Sequence, residues 1–154
     1  MPPIHDCSLQ DIDTAPFVTT CGKQLSKGPP PPSHLVIPMN HFQPEIINLT
    51  ELPGTACPCG TARRAFQDQS NFPATVHLTD IQSDAKSHYH NKLTEVYVIL
   101  SCDSDAEIEL DGTCYPVKPL TAVFIPPGVK HRAVGKMQVL IICNPKFDPT
   151  DENF

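Results

Sequence analysis

Proline restricts this chain more than any other residue. There are 18 in 154 residues, more than twice the ordinary share of roughly 5%. A proline fixes φ and lacks an N–H, so it breaks helices and is kept out of central strands. A mostly helical fold is therefore disfavoured, and any strands must be short. Half of the prolines precede residue 45. Among them the run Gly28-Pro29-Pro30-Pro31-Pro32-Ser33 reads as extended, solvated polyproline. Residues 1–44 are expected to form a Pro-rich arm whose Pro run is a spacer rather than a partner motif. His5, His34 and His41 lie in or beside it and receive no role.

Charge narrows the partners. Lys and Arg number 11 against 17 Asp and Glu, a formal net charge of -6. No basic surface is available for nucleic-acid phosphates, and an anionic membrane surface is disfavoured for the same reason. No apolar run approaches the ~20 residues of a membrane helix. The N-terminal residues do not read as a signal peptide, so the expected location is cytoplasmic. The seven cysteines are then reduced thiols. Cys114 and Cys143 are expected in the core.

Short strand-like runs begin at Pro44. They cover residues 45–49, 75–81, 95–100, 106–110, 114–118, 121–126, 130–134 and 138–143, and are rich in Val, Ile, Thr, Tyr and Phe. Asp111-Gly112 between two of them is a strong hairpin signal, because a type I′ turn needs positive φ at both positions. Strands at this spacing indicate a sandwich or barrel. The organisation expected is an arm (1–44), an all-β barrel (45–147) and a solvated acidic tail (148–154) carrying Asp148, Asp151 and Glu152.

Two clusters carry chemistry. In His88-Tyr89-His90 the two imidazoles share a strand face. The short loop that follows could return Glu95 beside them, and the turn Pro126-Pro127-Gly128 would start a strand carrying His131 inward. Three neutral imidazoles and one carboxylate make a divalent-metal site. Four ligands on an octahedral ion leave two positions for substrate, water or O2. The donors suit Fe, Mn, Zn, Ni, Co or Cu without distinguishing them.

These segments resemble the paired motifs of the cupin superfamily: His-x-His, four residues, Glu, and then Pro-x-Gly, two residues, His. The resemblance spans residues 75–143 and implies a jelly-roll β-barrel with the metal inside, held by His88, His90, Glu95 and His131. Glycines usual in the family are replaced by Gln82, Cys102 and Leu120, and a usual Asn by Gly135. All four are turn positions.

Tyr97 shares the face of Glu95 and is the catalytic candidate, as a hydrogen-bond donor or general acid or base; packing alone would also place a Tyr there. Arg63 and Arg64 are the substrate-binding candidates. An arginine at the cavity mouth would grip a carboxylate or phosphate. In an extended stretch they point to opposite faces, so at most one can reach the cavity. The alternative is a surface or dimer-contact ion pair. Cys57 and Cys59 are too close in sequence for a structural zinc site. They read first as small residues at a strand edge and second as redox-sensitive thiols. His77 reads as a satisfied structural histidine.

The resemblance implies a small-molecule substrate and a homodimer. An Fe(II)-type dioxygenase is the leading reading, as in quercetin or cysteine dioxygenases. A redox-neutral isomerase, epimerase or lyase of phosphomannose-isomerase-like kind is the alternative, and a non-catalytic sugar or small-ligand module the third.

Overall fold

A computed structural model describes residues 44–154. The polyproline run and His5, His34 and His41 lie outside the described residues. Eleven strands build the described part: β1 (Thr55–Cys57), β2 (Gly60–Ala65), β3 (Thr75–Ile81), β4 (Tyr89–His90), β5 (Thr94–Cys102), β6 (Glu107–Leu110), β7 (Thr113–Pro116), β8 (Ala122–Ile125), β9 (His131–Val134), β10 (Met137–Asn144) and β11 (Glu152–Asn153). Two 3₁₀ turns, Leu49–Glu51 and Pro149–Asp151, are the helical elements among the described residues. None is long and apolar enough to cross a membrane.

A six-stranded sheet runs β1-β2-β3-β10-β5-β8, a three-stranded sheet β7-β6-β9, and a two-stranded one β11-β4. All pairings are antiparallel. Asp111 (φ 47°) and Gly112 (φ 82°) make the expected turn between β6 and β7. Asp111 also accepts the Lys130 amide at 2.9 Å and donates its own to the Lys130 carbonyl at 2.8 Å, tying this hairpin to the start of β9.

Alternation sorts the side chains. Inward positions on β5 are Glu95, Tyr97 and Ile99; on β3 Thr75, His77, Thr79 and Ile81; on β10 Cys143, Ile141, Val139 and Met137. The apolar cluster continues through Ile108, Ile125 and Ala133. Between β10 and β5 the register slips after Gln138, so Leu100 is left unpaired in a bulge.

Four sequence expectations need correction. Residues 45–49 are not a strand. That stretch is irregular and ends in a 3₁₀ turn, with Ile46 fully exposed. Strands β1 and β2 form a full hairpin where the sequence suggested only a strand edge at Cys57 and Cys59. Cys114 is exposed rather than core, because β7 lies on an open edge. The acidic tail is exposed at Asp148 but is not free: Glu152 and Asn153 are half-buried and pair with His90 and Tyr89, and Asp148 caps the turn before them.

Candidate metal centre

His90 lies on β4, Glu95 on β5 and His131 on β9, while His88 bridges directly to His131. The His131 amide donates to the His88 carbonyl at 2.8 Å and the His88 amide to the His131 carbonyl at 3.1 Å. The Gly128 amide, in the Pro-Pro-Gly turn at φ 87°, donates to the His90 carbonyl at 2.7 Å. Both motifs are thus stitched together through backbone.

The three imidazoles are oriented alike. Nδ1 of His88 lies 3.1 Å from the Lys86 carbonyl, Nδ1 of His90 3.0 Å from the Asp151 carbonyl, and Nδ1 of His131 3.0 Å from the Val129 carbonyl. A carbonyl only accepts, so each Nδ1 carries the proton and donates. Each Nε2 is left with a bare lone pair facing inward, which is the arrangement that orients a ligating histidine. One ligand atom from each of His88, His90, Glu95 and His131 falls within 4.8 Å of the others.

The polar bookkeeping points the same way. Nε2 of His90, Nε2 of His131 and Oε2 of Glu95 are buried and lack hydrogen-bond partners. The Glu95 oxygen is 2.9 Å from Nε2 of His131 and 3.5 Å from that of His90. Those contacts are short, but a tautomer protonated on Nδ1 offers no hydrogen to make them bonds. Buried groups left unmatched cost roughly 1–3 kcal/mol each. A divalent cation would satisfy all of them at once, so this donor set fits a metal.

Burial, and then the charge of His131, lower the His88 imidazole to about 4, so it is neutral at pH 7 and ready to ligate. Burial alone would raise Glu95, but the surrounding histidines outweigh it and hold the carboxyl below its ordinary value. Without an ion the balance at His131 is the reverse: against the pull of burial, the Glu95 carboxylate lifts the imidazole above its usual value, so the proton that Nε2 takes up there is the one a bound cation would displace.

A cavity of about 340 Å³ opens onto His88, His90 and Glu95 and is also lined by Arg64, His77 and Tyr97. That volume suits a small organic molecule. Tyr97 is buried, its ring edge-on to His131 with centroids 5.9 Å apart. Burial and the Glu95 charge push its hydroxyl well above the ordinary value. Tyr97 is therefore a neutral phenol able to donate, not a base.

Arg63 and Arg64 do point apart. Arg63 turns outward to pair with Asp80 at 2.6 Å. Arg64, opposite His77 in the β2–β3 register, lines the cavity with its guanidinium 4.7 Å above the Phe147 ring and its Nε buried and unpartnered. His77 is held by Thr75 at 2.9 Å. It also touches Cys143 at 3.8 Å, and the Cys143 thiol donates to the second Glu95 oxygen at 3.7 Å.

Asp151 had no role by sequence. Its carboxylate accepts the amides of Asn91, Lys92 and Leu93 at 3.0–3.1 Å, so it grips the loop between His90 and Glu95 while its carbonyl orients the His90 ring. The neighbouring Glu152 places an oxygen 3.9 Å from Nε2 of His88. The available signal was Asp148-Pro149-Thr150, a capping pattern that stops the chain from being a free tail.

The fold and this histidine–carboxylate cluster define a jelly-roll barrel with an internal group that could hold a metal ion. A protein from Planctomyces limnophilus is 44% identical, with a TM-score of 0.71 over 73% of this chain and 98% of that one. A Cupin 2 conserved barrel domain protein from Salinispora arenicola shares 20% identity, with a TM-score of 0.55 over 70% and 92%. The Streptomyces nucleoside dehydratase Pac13, solved with uridine, shares 16%, with a TM-score of 0.62 over 72% and 90%. Among curated proteins, L-ectoine synthase of Saccharophagus degradans is 31% identical over 86 residues, 53% of this chain and 64% of that protein. The match thus spans a little under two thirds of the curated relative. No family model matches the chain. The chain has the barrel fold of the cupin-domain protein among these neighbours.

Proposed function

We propose that this cupin-fold protein is a metal-dependent enzyme acting on a small anionic molecule by redox-neutral elimination, a lyase reaction. The observation that carries the reading is the convergence of three bare Nε2 atoms and one carboxylate on a cavity that also holds the Arg64 guanidinium. His88, His90, Glu95 and His131 would hold the ion, which supplies Lewis acidity toward a substrate oxygen. Arg64, stacked on Phe147, is aimed to take a carboxylate or phosphate. Tyr97 gives its proton to the departing oxygen, and the neutral His77 imidazole on the same cavity wall takes the proton lost from the neighbouring carbon. The partial likeness to L-ectoine synthase supports an enzyme, and the dehydratase among the fold neighbours supports a reaction that loses water.

A dioxygenase is the second reading. It rests on the ligand count, since four protein donors leave two coordination positions for substrate and O2. Metal-loaded protein should be offered small hydroxylated carboxylates and phosphates, with and without air, and followed by NMR. Equal turnover in both atmospheres supports elimination; turnover confined to air overturns it. Ligand-induced thermal stabilisation with no turnover in either atmosphere points instead to a binding module.

The homodimer also stands as a proposal. Ile142, Val96 and Phe124 lie in one cross-strand row on the outer face of the large sheet. Phe124 is 66% exposed and Ile142 38%, an apolar face that a second copy would cover. Light scattering of wild type and Phe124→Glu tests it: a dimer that the charge dissociates is expected, and a wild-type monomer rejects it. The free thiols among the described residues fit a cytoplasmic setting.

A further inference from the structure

The hairpin between β1 and β2 is built from Cys57-Pro58-Cys59-Gly60, with Cys57 opposite Gly60. Its position is forced. Gly60 sits at φ 146°, and a Cβ there would drive into the Asp80 carbonyl of β3. Only glycine lets the turn press so closely on the barrel. The turn brings the two sulfurs to 2.7 Å, closer than two thiols in ordinary contact and not far beyond the ~2.05 Å of a disulfide bond. Both are half-buried, and both line the cavity that holds the metal ligands.

The two thiols are not equivalent. Either thiol can donate across this contact; the hydrogen bond with Cys59 first, then backbone amides of Cys59 and Gly60 and the charge of Arg64, favour the thiolate at Cys57 against the opposing effect of burial and bring it to about 6. Cys59, sharing that bond and partly buried, moves well above its ordinary value. One proton is shared, with the negative charge on Cys57. Other described cysteines lack such an arrangement: Cys102 donates to a carbonyl, Cys143 is fully buried, and Cys114 is exposed beside acidic residues that push it up.

We propose that Cys57 and Cys59 form a redox-active dithiol at the cavity wall, with Cys57 the nucleophile and Cys59 the resolving thiol, whose co-reactant is a low-molecular-weight disulfide of the glutathione class. The Cys57 thiolate attacks one sulfur of that disulfide, forming a mixed disulfide and expelling one thiolate, which takes up a proton. Cys59 then loses its proton, attacks the Cys57 sulfur and expels the second thiol. The dithiol is oxidised by two electrons, and one external disulfide becomes two thiols. The reaction needs neither the metal nor the substrate of the main site. It removes a negative charge from the wall that faces Arg64.

The test uses the full chain equilibrated in graded ratios of oxidised to reduced glutathione, quenched with a maleimide and mapped by mass spectrometry. Wild type should lose both thiols together, with a Cys57–Cys59 cross-link and little mixed disulfide. Cys59→Ser should trap one glutathione on Cys57, and Cys57→Ser should leave Cys59 at least about tenfold less modified. Oxidation confined to other cysteines overturns the proposal, as does independent oxidation of the two or preferential trapping on Cys59. Should either variant fail to fold, the wild-type map alone still decides between a joint cross-link and its absence.

Discussion

The two ends of the barrel interior differ in kind although the same strands build both. On β5 the inward residues run Glu95, Tyr97, Ile99; on β3 Thr75, His77, Thr79, Ile81; on β9 His131, then Ala133. One end is a closed apolar plug of Ile99, Val139, Ile108 and Met137. The other is equally buried but polar, with His131 1% and Glu95 4% exposed. Apolar burial stabilises the fold at roughly 25 cal/mol per Å². Buried polar atoms without partners do the opposite. The plug therefore holds the barrel shut, and the site end stores donors that only a ligand satisfies.

That division can be broken in several ways. Ile99→Ala should have the largest effect on stability, about 2–5 kcal/mol in denaturant unfolding, while metal stoichiometry stays at its wild-type value. A loss of metal equal to the loss of stability would merge the two ends into one unit. Asp151→Ala should invert that pattern. It releases three loop amides and slackens the segment orienting His90, weakening metal affinity about 10–100-fold in chelator competition with the barrel intact.

Acid sharpens the contrast. Burial first, and then the Arg64 charge, hold the His77 imidazole at about 4, whereas an unfolded histidine titrates near ~6.5. The folded value is depressed, so between the two the unfolded chain takes up a proton that the folded chain refuses. Stability should fall as pH drops from about 6.5 toward about 4, and not change further on this account below. Melting of metal-free protein across that window should be steeper for wild type than for His77→Gln; equal slopes would place the acid sensitivity elsewhere. Arg63→Ala lies outside both ends and should cost the least, below about 1 kcal/mol for a partly exposed pair with Asp80.

Much of this was readable in the sequence where the signal is local. The His88-x-His90 spacing, Asp111-Gly112 and Pro126-Pro127-Gly128 each dictate a backbone geometry within a few residues. The alternating faces of Arg63 and Arg64 were legible too, but which of them faces inward depends on the β2–β3 register, a tertiary fact. Strand β2, Gly-Thr-Ala-Arg-Arg-Ala, has few residues of high β-propensity and forms because β3 offers an edge. The apolar residues at 45–49 pair with none of the described strands. Asp151 lies sixty residues from the loop it holds, a separation no local pattern spans.

The central claim is that His88, His90, Glu95 and His131 share one ion. Elemental analysis of protein purified without a metal-chelating tag, wild type beside His131→Ala, tests it most directly. The expected result is one equivalent of transition metal per wild-type chain, and almost none in a variant whose circular dichroism is unchanged. Metal-free wild type that also fails to bind added divalent ions, or a variant that keeps its full equivalent, would contradict it.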